Sequence, residues 1–232
     1  MIKALWLERM PIEEALAWQD EIFHNQNGED ACNHLLLCEH EPCYTTTELP
    51  IEECLRISLE EFTRLNVQVI PVRRGGGATF HGPGQLVVYC IIDMVQLKIG
   101  TQLFNKMITE GVRHFLSAYG ITTTKLPCDL SIQDNQRAHG LWVSGERKIL
   151  SRGLLVTKNR HRRVVTRFGF ALNISTDLTY FSYIYPCGLD IEMTSLEKEI
   201  GRTFILSDLI KPFIATLNDV LNPLEKIFLD TT

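Results

Sequence analysis

Apolar residues recur along this chain with two different periods, and the periods predict its elements. Between Pro11 and about Asn25, the residues Ile12, Ala15, Leu16, Ile22 and Phe23 fall roughly on one face behind an early proline. That spacing predicts an amphipathic helix. Lys3 to Leu7 and His34 to Glu39 read as strands, as does Val67 to Arg73. Leu86 to Met94 is the longest apolar run and is strand-sized. Ser58-Leu59-Glu60-Glu61 is a capping box opening a short helix to about Leu65. Thr101 to about Tyr119 is a long helix ended by Gly120. From Thr122 to Ile174 the pattern turns to strands: Leu141 to Val143, Lys148 to Val156 and Arg163 to Ile174, with short turns that favour antiparallel hairpins. Thr194-Ser195-Leu196-Glu197 is a second capping signal, and Ser207 to about Leu221 a last helix that tolerates Pro212 if it lies in the first turn. Strand runs with peripheral helices predict an α+β domain, a mixed β-sheet core with surrounding helices. No linker, repeat or low-complexity block interrupts it, so residues 1–232 read as one domain.

Composition narrows the class. Of 232 residues 45% are hydrophobic and 22% charged, which excludes a disordered chain. No apolar stretch reaches the ~18 residues of a membrane span. The N-terminus lacks a signal-peptide or transit-peptide pattern, so a cytoplasmic protein is expected. The net charge of −5 argues against bulk nucleic-acid binding. One local exception, Lys158-Asn159-Arg160-His161-Arg162-Arg163 with Arg167 beyond, is either a solvated hairpin tip or a docking patch. The seven cysteines (32, 38, 43, 54, 90, 128 and 187) are odd in number and scattered, unlike a secreted disulfide framework. His34, Cys38, His40 and Cys43 cluster, but their spacing matches no common zinc module, so no metal is expected.

Candidate chemistry concentrates in three places. Arg73 to Gln85 holds five of the 15 glycines between two strong strands. Three consecutive glycines cost backbone entropy, and the return is close approach of N–H groups to a ligand; the alternative is a merely permissive loop. No Gly-Lys-Ser/Thr ends it and a strand follows, so it is neither a Walker loop nor a dinucleotide fingerprint. Cys187 lies between Pro186 and Gly188 in a turn, unlike the thiols in apolar runs, and reads either as a reactive thiol or as a turn cysteine. Lys148 opens a strand, where a lysine commonly protects a sheet edge.

Together these residues resemble the octanoyltransferase family (lipoate–protein ligase B). Arg74 to Gln85 matches its Arg-Gly-Gly-x-x-Thr-(Tyr/Phe)-His-Gly-Pro-Gly-Gln segment, and Glu39-His40-Glu41-Pro42-Cys43-Tyr44-Thr45 its Glu-His-x-Pro-x-Tyr-Thr. Lys148 to Gly153 matches Lys-Ile-x-x-x-Gly, Gly169 to Asn173 matches Gly-x-Ala-Leu-Asn, and Pro186-Cys187-Gly188 with Thr194-Ser195-Leu196 completes the set. The resemblance implies the biotin/lipoate protein ligase-like fold. It implies transfer of octanoyl from acyl carrier protein to a lysine of lipoyl domains, those of 2-oxoacid dehydrogenases and the glycine cleavage H protein. Cys187 would carry the acyl thioester and Lys148 would be its partner. Neither ATP nor another cofactor is implied, and a monomer is expected.

By position in the motifs, Arg74, Gly75, Gly76, Gly77, Ala78, Thr79, Phe80 and His81 would bind substrate, with Ser151, Arg152 and Gly153, and with Gly169, Phe170 and Ala171 opposite. Thr79 and Phe80 are expected to line the acyl channel. His81 is open to two readings, positioning the acyl carbonyl or holding the loop. Three departures bear on pocket shape: Thr46-Thr47-Glu48 after Thr45, Phe168 where the family often has His, and Arg152 where it is commonly apolar. Since the family's partners are typically acidic, Arg160, Arg162 and Arg163 are expected to help dock one of them. Alternatives are an ATP-dependent lipoate ligase of the same fold, an inactive paralogue that only binds carrier protein or lipoyl domains, and a cysteine hydrolase.

Overall fold

The computed structural model describes residues 1–28, 31–47, 49–74, 76–125, 139–224 and 226–230. In chain order its elements are β1 (Ile2–Met10), α1 (Ile12–Asn25), β2 (Asn33–His40), β3 (Cys43–Thr46), α2 (Leu59–Arg64), β4 (Gln68–Pro71), β5 (Thr79–His81), β6 (Gln85–Ile91), α3 (Met94–Leu97) and α4 (Thr101–Ser117). They continue with β7 (Thr123–Thr124), β8 (Gly140–Val143), β9 (Arg147–Arg152), β10 (Leu155–Lys158), β11 (Val164–Arg167), β12 (Gly169–Asn173), β13 (Glu192–Met193), α5 (Leu196–Ile200), α6 (Leu206–Leu221) and β14 (Ile227–Asp230).

The main sheet runs β14-β1-β2-β6-β12-β9-β8-β7, with β13 added alongside β9. β14, β1 and β2 are parallel, and the remaining neighbours on the path antiparallel. A mixed sheet with helices on it is the α+β architecture the patterning predicts. A second sheet, β4-β3-β5, and the β10-β11 hairpin complete the strands among the described residues.

One face of the main sheet (Leu35, Leu86, Val88, Phe170, Leu172) packs on Phe104, Ile108 and Phe115 of α4 and on Phe213 and Leu217 of α6. The opposite face (Leu36, Val87, Tyr89, Ala171) meets Ala15 and Phe23 of α1 and Val165 of the hairpin. The alternation of β6 and β12 therefore divides their side chains between helix core and hairpin side.

Pro212 lies well inside α6, beyond the first turn that the sequence favoured for it. The apolar stripe Leu209, Ile210, Phe213, Ile214 and Leu217 is buried and outweighs a proline cost of about 3 kcal/mol. Two long predicted strands are each broken in two. Phe168, at φ 56°, turns the chain from β11 into β12, and Gly153 and Leu154 separate β9 from β10. A left-handed φ on phenylalanine has no signal in the sequence.

Part of the basic stretch is structural, while Lys158, Arg160, His161 and Arg162 are exposed. Asn159 is buried and its amide donates to the Phe23 and Gln26 carbonyls at 2.9 and 2.6 Å. Arg163 pairs with the fully buried Asp93 at 2.5 Å, and Arg167 pairs with Asp20. Arg163 is thus withdrawn from the expected docking trio because it neutralises a carboxylate inside the fold. Asp93 also caps α3, accepting from the Val95 and Gln96 N–H groups at 2.9 and 3.1 Å. Replacing it by alanine leaves a guanidinium without its counter-charge and a helix without its cap. Asp93→Ala is expected to lower unfolding free energy by about 3–5 kcal/mol in urea titrations, since breaking a buried pair costs that much.

Candidate active site

Cys187 sits in the turn Tyr185-Pro186-Cys187-Gly188 with a left-handed backbone, φ 59° and ψ 19°. A non-glycine residue holds that conformation only where its surroundings enforce it. Here Pro186 fixes the entry, the Cys187 N–H donates to the Ala78 carbonyl at 2.9 Å, and the Gly188 N–H returns to Tyr185 at 2.8 Å. The turn is thereby fastened to the end of the glycine-rich loop. Gly77 faces it closely: a Cβ there would stand 3.0 Å from both Cα and C of Cys187. Its own N–H donates to Cys187 Sγ.

Lys148 is fully buried in β9, between Trp142 on β8 and Met193 on β13. It does not protect an edge, because β8 and β13 both cover its strand. Its Nζ stands 3.6 Å from Cys187 Sγ and 5.6 Å from the centroid of the buried Trp142 ring. Among the described residues no carboxylate pairs with it. A buried ammonium needs a counter-charge, and the sulfur is the acceptor within reach. Gly140 leaves the space this side chain uses, since a Cβ there would come 2.7 Å from Lys148 Cε and 2.0 Å from the Leu150 carbonyl oxygen.

Electrostatics single out Cys187 among the thiols of the described residues. Burial pushes Cys38 and Cys54 up and takes Cys43 and Cys90 to about 12. Burial opposes ionisation of Cys187 as well, but the charges of Lys148 and Arg74, with the Gly77 N–H and the Lys148 hydrogen bond, bring its pKa below the usual thiol value. Arg74 is itself held in place by Thr45, donating to its hydroxyl at 2.7 Å and its carbonyl at 3.3 Å.

Cys187 opens on a cavity between the two sheets, with about 530 Å³ of empty space counting its mouth. Thr45, Arg74, Thr79 and His81 border one side, and Ser151, Gly153, Gly169 and Ala171 the other; Ile12, Val72, Val87, Tyr89 and Phe168 complete the apolar wall. Arg152 and Phe170 border it too, but the Arg152 guanidinium reaches Thr109 on α4 and the Phe170 ring packs on Phe213. Phe80 departs from expectation. β5 alternates, so Thr79 and His81 turn to the cavity while Phe80 points the other way, stacked on Tyr180 at 4.3 Å. Gly76 lies beside Arg74 and Sγ, Ala78 carries the carbonyl that fixes Cys187, and Gly75 is outside the described residues. His40 and Cys38 stand 3.6 Å apart, but no three metal-ligating side chains converge among the described residues.

His81 is held neutral, with its pKa at about 3, by burial and by the neighbouring His40 and Arg74. It links Gln85 at 2.7 Å to Thr45 at 3.4 Å. Gln85 and Asn173, which sequence reasoning passed over, lie at the same spot and are bonded to each other at 2.9 Å. Their separation of 88 positions left no local signal.

Residues 11–218 match the model of the lipoyl protein ligase A/B catalytic domain. A Bacteroides fragilis octanoyltransferase is 34% identical over 211 residues, covering 87% of this chain and 89% of its own. A Solibacter usitatus octanoyltransferase is 36% identical over 190 residues, covering 82% and 80%. Among solved structures, lipoate-protein ligase A bound with ATP superposes with TM-score 0.63 at 17% identity, over 100% of this chain and 89% of the other. The bi-partite lipoate protein ligase of Thermoplasma acidophilum, studied with its E2 lipoyl domain, gives 0.61 at 17%, over 99% and 86%. At such identities these two likenesses speak for the fold.

Proposed function

This chain belongs to the octanoyltransferases of the lipoyl protein ligase A/B catalytic family, and we propose that it works through an acyl-thioester on Cys187 with octanoyl–acyl carrier protein as donor. The enzyme is an acyltransferase of protein lipoylation, and its acceptors are lipoyl-domain proteins. No helix among the described residues is long and apolar enough to cross a membrane. We place the reaction in the cytoplasm.

The approach of Lys148 Nζ to Cys187 Sγ at 3.6 Å, with Cys187 lining an apolar cavity, carries this reading. In the first step the Cys187 thiolate attacks the donor thioester. The tetrahedral adduct collapses to the Cys187 thioester, and the departing carrier thiolate takes a proton from Lys148. In the second step the acceptor lysine amine attacks that thioester. The amide forms, the amine's proton passes to Lys148, and Cys187 leaves as thiolate. The first exchange is close to energy-neutral and the second makes the more stable amide, so no nucleotide is required. The Gly77 N–H is the candidate oxyanion donor. Burying the six methylenes of an octanoyl chain is worth roughly 5 kcal/mol of binding.

Intact-mass spectrometry without ATP tests the reading. Wild-type protein mixed with octanoyl–acyl carrier protein is expected to gain one octanoyl group, labile to hydroxylamine and discharged by apo-lipoyl domain. Cys187→Ala is expected to gain none and to lose transfer. An alanine variant that still transfers octanoyl overturns the covalent route.

A further inference from the structure

We propose that Thr45, Gln85 and Asn173 are positioning residues, joined in one buried hydrogen-bond chain that sets the spacing of Arg74 and Lys148 about Cys187. The proposal rests on the reading of Cys187 as the acyl carrier.

Donor geometry fixes the direction of the chain. The Gln85 amide nitrogen donates to Asn173 Oδ1 at 2.9 Å and to the Phe80 carbonyl at 3.2 Å, so its oxygen faces His81. His81 therefore carries its proton on Nδ1 and donates it to that oxygen at 2.7 Å. Nε2 is left as an acceptor. The Thr45 hydroxyl, whose oxygen already accepts from Arg74 at 2.7 Å, turns its proton to Nε2 at 3.4 Å. At the other end the Asn173 amide nitrogen donates to the Thr194 carbonyl at 2.9 Å, and the Thr194 N–H donates to the Lys148 carbonyl at 2.9 Å.

Every link from Arg74 to Lys148 donates in the same direction. Thr45, His81, Gln85, Asn173, Thr194 and Lys148 are all buried. The two ends are the cations that face Cys187; the Cys54 thiol also lies in its field. The chain crosses from β3 and β5 of the second sheet to β6, β12 and β9 of the main one. It thus ties the wall bearing Arg74 to the strand bearing Lys148. Members of such a network polarise one another, and losing one link leaves its neighbour unsatisfied.

The test uses the full chain with Thr45→Val, Thr45→Ser, Gln85→Met and Asn173→Leu. Three readouts are taken: the pH dependence of Cys187 alkylation by iodoacetamide, mapped to its own peptide; kcat and KM with octanoyl–acyl carrier protein; and thermal midpoint. Thr45→Val and Asn173→Leu are expected to move the alkylation inflection to higher pH. They are expected to lower kcat by about ten- to a hundredfold with KM little changed, the scale of a small misplacement of reacting groups. Thr45→Ser keeps the hydroxyl and is expected to restore both. Folded Thr45→Val and Asn173→Leu proteins with the wild-type inflection and kcat overturn the proposal, even if their thermal midpoints fall. Should Asn173→Leu fail to fold, Thr45→Val decides, since it exchanges one hydroxyl for a methyl. Transfer that survives Cys187→Ala defeats the underlying covalent reading instead, and the two failures are separable.

Discussion

Lys148→Met is expected to reduce octanoyl transfer by about 10²–10⁴-fold, the usual worth of a positioned proton-transfer group. Methionine keeps the length of the side chain and its packing beside Trp142, so the loss isolates the ammonium. Both transfer steps suffer: the departing thiolate loses its proton source, and the attacking amine loses its acceptor. Lys148 is also the leading charge that lowers the Cys187 pKa. The inflection for alkylation of Cys187 therefore moves to higher pH in the variant, and at neutral pH the thiolate fraction falls. Alkylation rates across pH, read on the Cys187 peptide, check the electrostatic part. Single-turnover transfer from preformed acyl-enzyme checks the proton-transfer part. An unchanged inflection would show that the sulfur does not feel the ammonium.

Acid is expected to destabilise this protein from about pH 6 downward, before most of its carboxylates are protonated. His40 and His81 are buried and neutral, with pKa values taken by burial from the usual 6.5 to about 4 and about 3. His40 donates from Nδ1 to the Met10 carbonyl at 3.1 Å and accepts the Tyr89 hydroxyl at 2.9 Å, while His81 is held by Gln85 and Thr45. In the unfolded chain both rings take up protons near pH 6.5, whereas the folded protein resists to about pH 4 and pH 3. Between those limits the unfolded state binds more protons, so stability falls as pH falls. Each ring contributes about 1.4 kcal/mol per pH unit, so together they approach roughly 2.7 kcal/mol per unit between pH 6 and 4. Summed from neutral pH, the two rings remove roughly 4 kcal/mol by about pH 5 and roughly 6 kcal/mol by about pH 4, a large share of a typical total of about 5–15 kcal/mol. Urea titrations at a series of pH values measure it. A double variant with glutamine at both positions is expected to flatten the dependence, and an equally steep one would locate it elsewhere.

The sequence was most readable where chemistry demands unusual residues at short range. Three glycines in a row and a cysteine between proline and glycine announce strain that needs a reason. The loop from Arg74 and the turn at Cys187 do meet in space, joined by the Ala78 carbonyl. What escaped was whatever depends on long-range pairing. Lys148 resembled an edge residue because β8 and β13 reach it from either side of the sequence, and only pairing shows that it is interior. The motif points Phe80 to the cavity, but the two-residue period from Thr79 to His81 sends it the other way. Phe168 turns the chain between sheets with a backbone conformation that its side chain does not advertise. Thr45, Gln85 and Asn173 are ordinary polar residues in apolar strands until their partners are known.

The alternation of β6 and β12 has an evolutionary consequence. Val87 and Ala171 face the acyl cavity, while their neighbours Leu86 and Leu172 belong to the helix-side core. Lys148 and the chain that holds it share this sheet: Gln85 is two residues from Val87 on β6, and Asn173 two from Ala171 on β12. Tail length and reaction chemistry are therefore written on one face of the same strands. A lineage that drifts toward shorter or longer acyl groups by exchanging side chains at Val87 and Ala171 alters the immediate neighbours of the residues that hold Arg74 and Lys148. Selection for a new acyl donor thus meets pleiotropy in this fold.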